Sequence, residues 1–268
     1  MTTHEALSGP TIEDALGRLR VAAPPNLRVG VLVATGLADH VATVDSPIGP
    51  LAVAWNGHGV SMVDRADDPV EVERRHRALT GRPLFEATAL PPRLAAAIAR
   101  RLAGDRRVRI DLDLRGRSAF EQDVWRKALE IPRGEVRPYG WIAAEIGRPR
   151  AVRAVGTALG HNPVPLIVPC HRVVRTDGTI GRYSLGGPES KRTILSAEGL
   201  DPEAMEDAAR RGERLVGSAT TGIVCWPTCH TGRRIQARHR RPFRSLAEAR
   251  AAGFRPCRVC RPVSVAAA

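Results

Sequence analysis

The stretch His161-Asn162-Pro163-Val164-Pro165-Leu166-Ile167-Val168-Pro169-Cys170-His171-Arg172-Val173 decides how this chain reads. Its aliphatic run predicts a short buried strand, Leu166-Ile167-Val168, that ends at Pro169 and leaves Cys170 at an edge rather than in a core. An imidazole and a guanidinium follow directly. Cationic neighbours favour thiolate over thiol, and the thiolate is the nucleophile. A lone cysteine among apolar residues is more often a small core residue, so the Cys-His pair alone says little.

Upstream, Ser118 followed by Glu121 is a capping-box signature, and Phe120, Val124, Ala128 and Leu129 give the helix behind it one apolar face. Tyr139 to Ile146 and Arg150 to Leu159, parted by Gly147-Arg148-Pro149, predict a helix-turn-helix with the Arg-bearing second helix exposed. Downstream, Thr176-Asp177-Gly178 reads as a turn, and Lys191 to Glu198 as a last helix closed by Gly199. Towards the N-terminus, Val41–Asp45, Leu51–Trp55 and Val60–Val63 predict a meander of strands around an Asn56-Gly57 turn. Leu94, Ile98 and Leu102 mark a helix, and alternating Val108, Ile110, Leu112 and Leu114 a half-buried strand. The expected fold class is α+β. A small sheet domain over 41–115 precedes a helical, helix-turn-helix-containing domain over 116–200. Residues 201–215, rich in charge and poor in large apolar side chains, read as a linker. Residues 1–40 read as an N-terminal extension with one amphipathic helix, Thr11 to Arg20, ended by Pro24-Pro25.

The 268 residues have room for about two modest domains. The net charge of +13 is almost all guanidinium, because Lys127 and Lys191 are the only lysines. Such a balance points to a polyanionic partner, nucleic acid first. The longest uncharged apolar stretch near the N-terminus, Val29 to Ala38, is about half of a membrane span and lacks the marks of a signal peptide. No membrane partner is expected, and five cysteines, an odd number, suit a reducing cytoplasm and a nucleoid-associated protein. Four of them, Cys225-x3-Cys229 and Cys257-x2-Cys260, match a Cys₄ site for one Zn²⁺ in a small third domain over 216–263. Residues 221–268 carry ten Arg against one Glu.

The segment around Cys170 resembles the acceptor-site signature of the O6-alkylguanine-DNA alkyltransferases, and the similarity runs over roughly residues 41–199. Relatives that only bind alkylated bases carry Trp where Cys170 stands, so the resemblance implies a transferase. It implies SN2 attack of the Cys170 thiolate on the alkyl carbon of O6-alkylguanine, with no cofactor for that step. Glu198 would orient His171, which deprotonates Cys170 through a water. Tyr139 would supply a proton or hydrogen bond to the N3 side of the leaving guanine, and the Ser184 N–H would face O6. The carbonyls of Cys170 and Val173 would accept from the exocyclic amine, with Tyr183 and Pro165 also at the substrate. Asn162 would fix the turn before the active-site strand. The resemblance further implies a flipped-out base, with Arg153 filling the vacated stack. Ala151 and Gly156 would let the helix close on the sugar-phosphate edges of the minor groove. The partner implied is double-stranded DNA containing alkylated guanine, met by a monomer that acts once. Tyr183 to Pro188 holds one residue more than many relatives before Lys191.

The runs Thr220–Cys229 and Ala251–Cys260 resemble the zinc domain of the adaptive-response protein Ada. That likeness implies Cys225, Cys229, Cys257 and Cys260 as ligands and Cys225 as a second methyl acceptor, taking methyls from DNA phosphotriesters. It also implies that Arg233, Arg234, Arg238, Arg240 and Arg241 track the DNA backbone. The order of domains is reversed relative to Ada, and no segment is long enough for Ada's separate transcriptional domain. The competing reading is a DNA-binding regulator in which cysteine methylation is the signal.

Overall fold

The computed structural model describes residues 25–263, so the helix expected over Thr11–Arg20 lies outside the described residues. Pro25 opens a helix, α1 (Pro25–Ala34), where its fixed φ suits the first turn. Val33 and Ala38 are buried, and the Gly57 N–H donates to the Val33 carbonyl at 2.9 Å. A side chain at Gly57 would collide with the Ala34 carbonyl oxygen, so the turn fits only as glycine. The extension expected over 1–40 is therefore corrected. Val33 and Ala38 anchor this segment to the first sheet, while Leu27, Val31 and Leu37 stay exposed.

That sheet has the order β3-β2-β1-β4, with β1 (Asp39–Val44), β2 (Leu51–Asn56), β3 (Gly59–Arg65) and β4 (Leu84–Glu86). The first three strands are the antiparallel meander expected around the Asn56-Gly57 turn, and β4 pairs parallel to β1. A helix α2 (Pro69–Thr80), not anticipated, joins β3 to β4, and α3 (Pro92–Leu102) follows as expected. The strand expected over 108–114 is not formed. Only Leu112 bridges to Val60, because β3 offers it one paired residue.

Beneath this sheet lies a buried charge network. Asp39, fully buried, accepts from His76 Nε2 at 2.7 Å, Arg82 Nε at 2.7 Å and Asn56 Nδ2 at 2.5 Å. Asp113 accepts from Asn56 Nδ2 at 2.8 Å and Arg115 Nη2 at 2.7 Å. Burial by itself raises a carboxyl's pKa, yet these donors hold both carboxyls below their ordinary value. Depressed carboxylates contribute stability that is present above the unfolded-state value, near 3.9, and is lost as pH falls towards the folded value. Asp39→Asn is expected to cost about 3 kcal/mol at neutral pH, because His76 and Arg82 lose a buried charged acceptor and Arg82 keeps only its 3.0 Å pair with Asp113. Thermal melts between pH 6 and pH 3 should show a shallower acid loss in the variant than in the parent chain.

The helical half begins at α4 (Ala119–Ala128), whose Ser118–Glu121 capping box is present in both directions. The Trp125 indole donates to the Ala158 carbonyl at 2.8 Å and fixes α4 against α6 (Val152–Gly160), with α5 (Tyr139–Glu145) between them in the chain. The strand expected over Leu166–Val168 is replaced by a buried turn, because Leu166 sits at φ 71° and the only pairing is a Pro165–Val168 bridge. It leads into a 3₁₀ turn, Cys170–Arg172, and then β6 (Val173–Val174), which pairs parallel to β5 (Arg137–Pro138). α7 (Gly187–Ala197) starts a turn earlier than Lys191.

The expected linker is also corrected. Asp201 caps α8 (Pro202–Arg210), accepting from the Ala204 N–H. Met205 packs beside Val136, Val174, Ile180 and Leu195. Arg192 pairs with Glu206 at 2.6 Å, so this charge-rich segment is a helix docked on the catalytic half. A second four-stranded sheet, order β10-β8-β7-β9, is built from β7 (Leu215–Ser218), β8 (Ile223–Cys225), β9 (Arg240–Phe243) and β10 (Arg255–Pro256). Two short helices accompany it, α9 (His230–Arg233) and α10 (Leu246–Ala251). One hydrophobic core runs from Val53 through Trp125, Ile142 and Val168 to Val216, Val224 and Cys260. No described helix is long and apolar enough to cross a membrane.

Candidate active site and metal centre

Cys170 opens the 3₁₀ turn and is 6 % exposed, so the edge position expected of it is corrected to a buried one. Its Sγ accepts from Asn162 Nδ2 at 3.1 Å, and the same nitrogen reaches the Val168 carbonyl at 3.0 Å. Asn162 Oδ1 takes the Val164 N–H at 3.1 Å, so this side chain pins the turn from both ends. The Val63 N–H donates to the Pro163 carbonyl at 2.8 Å, anchoring the turn to β3.

His171 is buried, with Nε2 3.0 Å from Glu198 Oε1 and Nδ1 left without a protein partner. Glu198 caps the C-terminus of α7. Arg172 grips the same carboxylate through Nη2 at 2.7 Å and Nε at 3.0 Å, and also donates to the Ile131 carbonyl at 2.8 Å. The Gly134 N–H adds a bond to Glu198 Oε2 at 3.2 Å. Burial opposes ionisation of Glu198, but these donors prevail and hold its pKa at about 2. The carboxylate is thus a fixed anion.

Burial pushes the Cys170 thiol above its ordinary value; the Asn162 hydrogen bond and the nearby Lys191 cation oppose it only in part. Burial likewise lowers His171, against the pull of Glu198. The resting site is therefore a thiol beside a neutral imidazole. Arg172, expected to favour a thiolate, is instead turned onto Glu198, and burial works against the charged forms of both Cys170 and His171. A neutral imidazole held by a carboxylate can take the thiol proton when substrate arrives.

Lys191, missed as a site residue, is fully buried, bonds the Val173 carbonyl at 2.5 Å and is lowered to about 8 by burial. Its only signal in the sequence was being one of two lysines. The Cys170 carbonyl already accepts the Val173 N–H, so each carbonyl expected to meet the exocyclic amine carries one internal donor and has one lone pair left. Tyr183 is buried edge-on to His171, with centroids 6.3 Å apart and its hydroxyl unpartnered. Ser184 is exposed and lines a cavity of about 260 Å³ together with Asn162, Pro165 and Leu185. Tyr139 is half-buried at the start of α5 and lies against Gly156 of α6, where an added Cβ would sit 4.0 Å from its ring. Burial and proximity to Cys170 raise its hydroxyl. Arg153 is exposed on α6, with Ala151 at its N-cap.

In the C-terminal sheet Cys225 ends β8, Cys229 precedes α9, and Cys257 follows β10. Their sulfurs and that of Cys260 all lie within 4.8 Å of one another, and all four are buried and free of disulfides. Tetrahedral zinc with sulfur at about 2.3 Å would set neighbouring sulfurs about 3.8 Å apart, so the donor set and its size fit Zn²⁺. Hydrogen bonds from its sulfur neighbours push the Cys225 thiol up, which a cation would reverse. Arg233, Arg234, Arg238, Arg240 and Arg241 are all exposed.

With that geometry in view, comparison with known proteins decides the family. A methylated-DNA–protein-cysteine methyltransferase of Mycobacterium bovis is 43% identical over 159 residues, spanning 59% of this chain and 92% of that protein. The chain belongs to the methylated-DNA–protein-cysteine methyltransferase family. A relative from Salmonella typhimurium is 35% identical over 175 residues, covering 61% of this chain and 95% of its own length. The solved structure of an O6-methylguanine methyltransferase variant from Mycobacterium tuberculosis superposes with TM-score 0.50 at 37% identity, over 60% of this chain and 92% of that one. The family profile of the 6-O-methylguanine DNA methyltransferase DNA-binding domain matches residues 119–200, and that of the metal-binding domain of Ada matches 204–263. The enzyme is thus an O6-methylguanine DNA methyltransferase of α+β fold with a DNA-binding domain and an Ada-type zinc-binding domain. The zinc match begins inside α8, as the corrected linker requires.

Proposed function

We propose that the methyl group of O6-methylguanine in double-stranded DNA passes to Cys170, one per molecule. The observation that carries this reading is the buried chain Cys170, His171, Glu198, in which the imidazole keeps Nε2 on the carboxylate and a free Nδ1. His171 takes the thiol proton through a water at Nδ1. The sulfur forms a bond to the methyl carbon, the carbon–O6 bond breaks, and its electron pair returns to guanine. The Tyr139 hydroxyl donates to the N3 side of the leaving base. Lys191, near enough to feel the Cys170 charge, favours the thiolate as it forms.

The base reaches the sulfur by leaving the stack, at a cost of a few kcal/mol. Exposed Arg153 on α6 fills the gap, while Ala151 and Gly156 keep the helix close to the minor-groove edges. The exposed arginines flanking the zinc site hold phosphates. The enzyme acts as a monomer in the cytoplasm. Cys225, Cys229, Cys257 and Cys260 would hold one Zn²⁺, which would keep their thiolates deprotonated and tie the two loops together.

Cys225 is 1 % exposed and the loop after it docks on the catalytic half, which supports a ligand role over that of phosphotriester methyl acceptor or regulatory switch. One experiment tests both statements. A duplex carrying O6-methylguanine and a methyl phosphotriester is incubated with the full chain, and the labelled peptides are mapped by mass. One methyl on the Cys170 peptide and none on the Cys225 peptide is expected. Methyl on another residue, or repeated turnover, would overturn the acceptor assignment.

A further inference from the structure

The segment Arg133-Gly134-Glu135-Val136-Arg137 touches the alkyl-transfer relay on one side and the zinc loop on the other. Towards the relay, the Gly134 N–H reaches Glu198 Oε2 at 3.2 Å and the Arg133 guanidinium bonds the Ala197 carbonyl. Arg137 pairs with Val173, the residue that follows the Cys170–Arg172 turn. Towards the metal site, the Val136 N–H donates to Thr228 Oγ1 at 2.9 Å, and that hydroxyl lies 3.3 Å from the Val136 carbonyl as donor. The His230 N–H donates to Glu135 Oε1 at 3.0 Å. Thr228 and His230 flank the ligand Cys229.

The centre of this bridge is buried. Glu135 is 2 % exposed and bonded by the Arg137 guanidinium. Gly134 sits at φ 72°, and a Cβ there would lie 3.0 Å from the Glu198 carbonyl oxygen and 3.7 Å from Arg233 Nη1 of α9. The backbone is held between the relay and the zinc domain in a left-handed conformation that favours glycine, with little room for a side chain. Removing the Thr228 hydroxyl would leave the Val136 N–H buried without a partner, which favours a shifted segment.

We propose that Thr228 and Glu135 are positioning residues. Through them the ordered zinc loop keeps the Gly134 N–H on Glu198 and so sets the rate of alkyl transfer at Cys170, apart from any contribution to DNA binding. The inference rests on the relay described above.

The test compares the full chain with Thr228→Val and Thr228→Ser. The free base O6-benzylguanine serves as the probe, because it needs no duplex and its benzylic carbon accepts the same displacement. Benzyl transfer to Cys170 is timed by mass, alongside zinc content, duplex affinity and hydrogen exchange at residues 133–138. Thr228→Val is expected to transfer about tenfold more slowly at unchanged duplex affinity, with faster exchange in that segment, and Thr228→Ser to restore both. A loss confined to the duplex substrate, or equal transfer despite faster exchange, would overturn the coupling. Should Thr228→Val lose its zinc, chelation and reloading of the parent chain gives the same decision. Benzyl transfer must fall on stripping and return on reloading, and a rate unchanged by stripping overturns the proposal. Failure of the relay itself would look different, because the parent chain would then carry no benzyl group on Cys170.

Discussion

Cys170→Ser should take up no measurable methyl from an O6-methylguanine duplex over the time in which the parent chain takes up one equivalent. The expected loss in rate is at least about 10³-fold, since a hydroxyl is a far weaker nucleophile than a thiolate at neutral pH and ionises far less readily. The fold should survive. Serine keeps an acceptor for Asn162 Nδ2, and the site is small and already pinned by the Asn162 bonds to Val164 and Val168. Thermal stability within about 1 kcal/mol of the parent and unchanged duplex binding would show that chemistry alone has been removed. Methyl recovered on the serine variant would place the acceptor elsewhere.

Glu198→Ala should be damaging twice over. Arg172 is 6 % exposed and His171 1 %, and both lose their carboxylate partner. A buried guanidinium left unpaired costs about 3–5 kcal/mol. For a chain of this size that corresponds to a fall in Tm of roughly 6–20 °C. Alkyl transfer should fall about 10²–10⁴-fold, the usual reach of positioned general base catalysis, because His171 loses the group that fixes its tautomer. Glu198→Gln separates the two effects. It keeps an acceptor for His171 and therefore most of the orientation, but not the charge that offsets Arg172. A Gln variant as active and as stable as the parent would remove Glu198 from the relay.

The proposed acceptor and its histidine were legible through the resemblance carried by Pro169-Cys170-His171-Arg172, and the candidate metal ligands through the spacing of two cysteine pairs. The meander around Asn56-Gly57, the capping box at Ser118 and the two helices flanking Gly147 were equally local, since period and turn chemistry report them directly. Errors arose where a segment's form depended on distant partners. Val108–Leu114 alternates like a strand, yet β3 pairs with it at one residue only. Asp201–Arg214 reads as solvated charge, yet Met205 and Arg192 fasten it to the catalytic half.

Residue type and spacing along the chain were thus enough to single out the four clustered cysteines, while Cys170 and His171 were nominated by the resemblance that their surrounding segment carries. The electrostatic state of the site needed the folded form. Burial, a non-local property, works against the charged forms of Cys170 and His171, and the packing of α7 against the Cys170 turn brings the Arg172 guanidinium onto Glu198. The docking of the zinc loop on residues 133–137 belongs to the same class, because it joins groups some ninety positions apart, such as Val136 and Thr228. Hydrogen bonds across such separations leave no periodicity for a linear reading to detect.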